Sequence, residues 1–176
     1  ISVSPSAAIL GGAVGNQLRS LCSAPERGVI AAATTAAWAA VWDLQTDSIE
    51  KVHSNNGRSV NSITFSPNGD QLVLGTGFYP LDPDQNVEAE VEVWALEREW
   101  TLNMVSAVTG VCVDWLAWHK TANALVALTG RRTQDGGFTS FLDGSTLKSL
   151  RIAERDEIPG YCCGLQEWPP AVAVFG

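Results

Sequence analysis

The chain has little that would carry chemistry by itself. No apolar run is long enough to cross a bilayer, since even residues 28–41 are interrupted by Thr34, Thr35 and the small residues around them. The opening residues show no charged-then-apolar leader pattern, and the first residue is Ile1 rather than Met, which suggests a processed or excised segment. The expectation is a soluble, cytoplasmic protein with no membrane partner. Basic residues are scarce, 11 Lys and Arg against 19 Asp and Glu for a net charge of -8, and they are scattered rather than banded. Without a positive footprint to neutralise phosphates, nucleic acid is not an expected partner.

Only two histidines are present, His53 and His119, in different parts of the chain and without neighbours at metal-ligand spacing. Asp114 and His119 lie five apart, which puts them on opposite faces of a regular strand and argues against a paired nucleophile and base. The four cysteines form no metal or disulfide framework: Cys22 and Cys112 fall in separate expected strands, and Cys162 and Cys163 are adjacent. Buried thiols in a reducing compartment are expected. Asp82, Asp84 and Asn86 resemble the start of a calcium loop, but its sixth and twelfth positions are Val87 and Val93 instead of Gly and Glu, so a solvated acidic loop is expected. No metal, cofactor or catalytic residue is assigned.

What the chain does have is short β-branched and aromatic runs punctuated by Pro, Asn and Gly, and its 45% hydrophobic content suffices for one domain spanning residues 1–176. Residues 59–65, the turn Ser66-Pro67-Asn68-Gly69-Asp70 and residues 71–77 read as a β-hairpin, in which Asn68 and Gly69 tolerate a left-handed backbone. Leu72 and Leu74 alternate with Gln71 and Val73, so the second strand is apolar on both faces, as in a sheet packed between two others. The strand Val93-Trp94-Ala95-Leu96 has a counterpart in Val41-Trp42-Asp43-Leu44, 52 residues earlier. Residues 65–77 align without a gap on residues 118–130, and the matching strand there is Ser140-Phe141-Leu142-Asp143. Asp43 with Thr46, and Asp143 with Thr146, share a spacing that closes a tight turn with side-chain hydrogen bonds. Units of roughly 40 to 50 residues, four strands each, are the signature of propeller blades.

On these residues the chain resembles a WD-repeat β-propeller: the Phe-Ser-Pro-Asn-Gly turn, the strand ending in small residues, and the Val-Trp-Asp/Ala-Leu strand all match that family's pattern. The resemblance is to a divergent member. The Gly-His pair before the first strand of a family blade stands here as Gly57-Arg58 and Gly110-Val111, so the family's His-centred network is not expected. The Asp-x-x-Thr-Gly turn of quinone-dependent propeller enzymes stops short too, with Asp47 and Leu147 where Gly would stand. The expected fold is all-β: three complete four-stranded antiparallel blades, third strands at residues 39–44, 90–96 and 139–143, plus one blade split between the termini. In that split blade, residues 1–4 and 7–13 would pair with residues 161–168 and 171–175. Closing the ring protects edge strands, by assembly into a larger propeller, by a second copy, or by the chain alone.

The resemblance implies a protein–protein interaction platform or scaffold, binding a protein or peptide through loops on one ring face, rather than an enzyme. A propeller enzyme with a site at the channel mouth (a hydrolase, a lyase or the quinone-dependent type) and a purely structural subunit completing a larger propeller are the alternatives. The loops assigned to that face are residues 35–38, 54–59, 78–89 and 131–138. Aromatics and Arg concentrate binding energy, which selects Trp38, Arg58, Phe78, Tyr79, Arg131 and Arg132 as partner-binding candidates. Trp42 and Trp94 are expected to be core anchors of the third strands.

Overall fold

The computed structural model describes residues 18–77, 88–96, 99–119, 123–130 and 137–154. Twelve strands follow in chain order: β1 (Leu18–Ala24), β2 (Val29–Thr34), β3 (Trp38–Asp43), β4 (Ser48–His53), β5 (Val60–Phe65), β6 (Gln71–Thr76), β7 (Ala89–Leu96), β8 (Trp100–Val108), β9 (Cys112–His119), β10 (Ala124–Gly130), β11 (Gly137–Asp143) and β12 (Ser149–Glu154). They form three four-stranded antiparallel sheets, each ordered as in the sequence. The third strands start one or two residues before the expected positions, because Trp38, Ala89 and Gly137 still find partners in His53, Val108 and Gly130. The terminal segments expected to form a split blade lie outside the described residues.

The turns show why the sequence folds this way locally. In the β5–β6 hairpin, Gly69 N–H bonds Ser66 O at 2.9 Å and Ser66 Oγ accepts from Gln71 N at 3.0 Å. Only Gly69 takes a positive φ, 74°, whereas Asn68 does not. Of the two residues that tolerate a left-handed backbone, Gly69 is the one that takes it, and Asn68 donates to Asp70 Oδ2 at 2.8 Å. The Asp–Thr turns form as expected. Asp43 Oδ1 accepts from Gln45 N at 2.7 Å and Thr46 N at 3.0 Å, and Asp143 Oδ1 from Ser145 N at 3.0 Å and Thr146 N at 2.9 Å. The Thr146 hydroxyl, which donates to Asp143 Oδ1 at 2.9 Å, and these backbone bonds hold the Asp143 carboxyl below the usual carboxylate range, and the Thr46 and Gln45 N–H groups do the same for Asp43.

The sheets meet at their first strands. Ser20 Oγ on β1 accepts from Ile63 N on β5 at 3.3 Å, and Ser62 Oγ on β5 donates to Val113 O on β9 at 2.9 Å. At that level each first strand carries a β-bulge, which leaves Arg19, Asn61 and Asp114 as the extra residues. Asp114 therefore does not belong to a regular strand, and the parity argument that set it opposite His119 does not apply.

Two apolar layers fill the spaces between sheets. In the first, Ala24, Ala31, Ala33, Ala39 and Val41 of sheet one pack on Ile63, Phe65, Leu72, Leu74 and Trp94 of sheet two. In the second, Val73, Ala89, Val91 and Val93 of sheet two meet Leu116, Leu125, Leu142 and Trp118 of sheet three. Both times a face of small or β-branched side chains receives a face of large ones. Leu72, Leu74 and Leu125 are fully buried, at about 1.5–3 kcal/mol each. Trp94 is half-buried against the first layer. Trp42, also half-buried, donates from Nε1 to Asp47 Oδ1 at 3.0 Å at the surface, so it is no core anchor.

Candidate interaction face

Of the loops assigned to one ring face, residues 35–38 and 54–59 are described, and they lie together. Ser54 N–H bonds Ala37 O at 2.9 Å, Val60 N–H bonds Ala36 O at 3.0 Å, and Ser59 Oγ donates to Thr35 O at 2.9 Å, which ties the β2–β3 loop to the β4–β5 linker. Farther along, Ala89 N–H bonds Gly110 O at 3.0 Å and Val111 N–H bonds Gly130 O at 3.1 Å.

Beneath the β4–β5 linker lies a polar network built on β7, where Glu88, Glu90 and Glu92 alternate with Ala89, Val91 and Val93. A period of two puts Glu90 and Glu92 on the side facing sheet one. Glu92 is fully buried. It accepts from Asn55 N at 3.0 Å and from Trp94 Nε1 at 3.0 Å. Asn56 Nδ2 donates to Glu90 Oε2 at 2.7 Å and Thr76 Oγ1 at 3.1 Å. Burial pushes the Glu92 carboxyl above its ordinary value; the Asn55 N–H and the Trp94 indole pull it back, and the neighbouring Glu90 charge adds to the rise. The network thus joins two carboxylates to the backbone and side-chain amides of an Asn pair. Sequence reasoning passed over Asn55, Asn56, Thr76, Glu90 and Glu92. The signal was there in the strict Glu alternation, which puts charge on a face that the rest of the sheet makes apolar.

Arg58 lies over this network. Its Nη1 donates to Glu88 O and stands 3.8 Å from Glu90 Oε1, and its side chain is 19% exposed. Trp38 is elsewhere, on the side of sheet one turned away from sheet two, with Lys51 Nζ 4.5 Å from its ring centroid. The structure therefore puts Trp38 and Arg58 at the same ring face but on opposite sides of one blade. Phe78, Tyr79, Arg131 and Arg132 lie outside the described residues, as does most of the acidic loop with Asp82 and Asp84.

At the opposite end of the first strands a groove of about 690 Å³ opens between the β1–β2 and β5–β6 turns, lined by Leu21, Ser23, Phe65, Pro67 and Trp118 among others. Burial pushes the Cys22 and Cys112 thiols up to about 12, so neither is a thiolate at neutral pH. Among the described residues no group of three or more His, Cys, Asp or Glu is placed to hold a metal ion, and no helix is long and apolar enough to cross a membrane.

No protein-family model matches the chain, and no curated protein matches it. Solved structures do. A chain of the crystal structure of the mitotic checkpoint complex superposes with a TM-score of 0.59 at 18% identity, over 77% of this chain and 37% of that one. A chain of Kuenenia stuttgartiensis hydrazine synthase superposes with a TM-score of 0.64 at 13% identity, over 78% of this chain and 37% of that one. The chain thus spans little more than a third of each. At these identities the likeness is one of fold, a β-propeller of four-stranded antiparallel blades.

Proposed function

We propose that the chain is a divergent WD-like propeller scaffold that holds a protein or peptide partner on the ring face carrying the β2–β3 and β4–β5 loops. The observation that carries this reading is the buried Glu92, which fixes the linker backbone at Asn55 and so presents the loops above it in one arrangement. Loops already ordered lose little conformational entropy when a partner lands on them. The Trp38–Lys51 stack and the Arg58–Glu90 pair supply aromatic and cationic contacts at that face. The structural neighbour in the mitotic checkpoint complex, a chain of a multiprotein assembly, agrees with such a role. On this reading the protein works in the cytoplasm, with its ring completed by its own terminal segments, by a second copy or by another chain.

The test is capture of a partner by the immobilised chain, compared with Trp38→Ala and with the double variant Arg131→Ala, Arg132→Ala. Capture should fail for the variants while the melting temperature is kept. Unchanged capture by both variants rules out this face. The enzyme alternative draws on the hydrazine synthase likeness and expects a channel-mouth site instead.

A further inference from the structure

The groove of about 690 Å³ between the β1–β2 and β5–β6 turns falls within the range of roughly 300–1,000 Å³ that ligand sites occupy. Much of its lining is apolar. Leu21 stands 62% exposed in it, and Ile30, Pro67 and Trp118 line it too. A single exposed leucine is ordinary on a protein surface, but this one belongs to a concave surface that can close round a ligand.

The rim is acidic. Glu26 lines the groove, is exposed, and pairs with no described residue. On the facing turn Asp70 accepts from Ser66 Oγ at 3.2 Å and from Asn68 Nδ2 at 2.8 Å, which sets a second carboxylate behind two of the lining residues. Arg27, next to Glu26 in the chain, is not part of the lining. Among the described residues, the turns at this end of the sheets carry Glu26, Asp43, Asp47, Asp70, Glu99 and Asp143 against Arg27 and Lys148. The field over the groove is therefore negative.

These features select the occupant. An anion would be repelled at the rim, and a purely apolar ligand would take Glu26, Ser23 and Asn68 out of water with nothing to bond to their polar atoms. A lysine or arginine side chain has the two parts required, an apolar stem and a charged head. We infer that the groove docks a basic peptide segment of a partner, the stem of a Lys or Arg lying along Leu21, Ile30 and Pro67 with its charge at Glu26. These residues lie at the other end of the strands from the interaction face, and the two sites stand or fall separately.

A short fluorescein-labelled peptide alternating leucine and lysine, titrated with the full chain and followed by anisotropy, tests it. Binding should saturate and weaken as salt is raised. The same peptide with glutamate for lysine, or with serine for leucine, should bind more weakly by about tenfold or more. Leu21→Ser should weaken binding by about tenfold and Glu26→Gln by about threefold to fivefold. Both side chains are exposed, so each variant should keep its melting temperature. Glu50→Gln, at an exposed acid on β4 outside the groove, should leave the affinity unchanged, which separates a site at Glu26 from attraction to the net charge of -8. No saturable binding, equal affinity for the glutamate peptide, full affinity in Leu21→Ser, or a loss in Glu50→Gln as large as in Glu26→Gln would each overturn the inference. A dimer in light scattering that Leu21→Ser dissolves would assign the groove to a second copy of the chain and overturn it as well.

Discussion

The two interfaces between sheets solve one problem in different ways. Between sheets one and two the linker is six residues long, residues 54–59, and carboxylate and amide side chains add to its backbone bonds: Glu92 on Asn55 N, Glu90 on Asn56, Thr76 on Asn56. Between sheets two and three the linker is three residues, 109–111, held by the backbone bonds Ala89 N to Gly110 O and Val111 N to Gly130 O, the Gly77–Cys112 bridge and one hydroxyl, Thr129 Oγ1 donating to Thr109 O. At the position of Glu92 the second interface has Ser140, 1% exposed, whose Oγ has no partner. A longer linker brings more backbone groups to satisfy, and the carboxylates satisfy them. The shorter one leaves no room for such groups and so depends on glycine.

The sharpest way to break this contrast is a methyl group in the second interface. A Cβ at Gly77 would lie 2.3 Å from Cys112 Cα and 2.5 Å from Val111 O at a φ of 156°, so neither neighbour can give way by rotating a side chain. Gly77→Ala should cost about 3–5 kcal/mol in a denaturant titration. Gly57→Ala in the side-chain-held linker meets nothing within 4 Å and should cost only its positive φ, about 1 kcal/mol. Equal losses for the two would erase the distinction. Next in size, Glu92→Ala leaves Asn55 N and Trp94 Nε1 without their acceptor and should cost about 2–4 kcal/mol by the same titration. Ser140→Ala removes a hydroxyl that bonds nothing and should leave stability level or raise it by about 1 kcal/mol. A clear loss there would mean that the Ser140 hydroxyl helps to hold the second interface.

The smallest effect is on pH dependence. Because the folded Glu92 value lies above its ordinary 4.5, the stabilisation linked to this group is fully present below 4.5 and is lost as pH rises through the raised value. Glu92→Gln carries no such loss, so the melting-temperature difference, wild type minus variant, should fall between acid and neutral pH. Asp43 and Asp143 work in the opposite sense, losing stability as pH falls, but they are common to both proteins and cancel in the difference. A flat difference would mean that Glu92 titrates as though in water.

The blades were legible in the sequence because strand alternation and turn chemistry are local. The gapless match of residues 65–77 with 118–130 gave β6 and β10 in register, and the Asp–Thr turns closed as their spacing requires. Strand ends shifted by a residue or two, since pairing partners and not propensity decide where a strand stops. The site was less legible. Trp38 and Arg58 reached the expected face, but which side of a blade each occupies depends on the three-dimensional stacking. The Glu92 network depends on a linker meeting a strand 37 residues away, and the bulges at Arg19, Asn61 and Asp114 have no mark in a hydrophobic pattern. Tertiary contact decided all of these.

Sheet two, with large side chains toward sheet one and small or β-branched ones toward sheet three, gives the row of blades a direction. Reversing one blade would set Ala31 and Ala33 against another small face and leave a void, while Leu72 and Trp94 would collide with a large one. A copied blade can therefore join the row only in the same orientation as its parent. Tandem duplication of a gene segment supplies that orientation automatically, so such an array lengthens by whole units, and the unit itself is its template for growth.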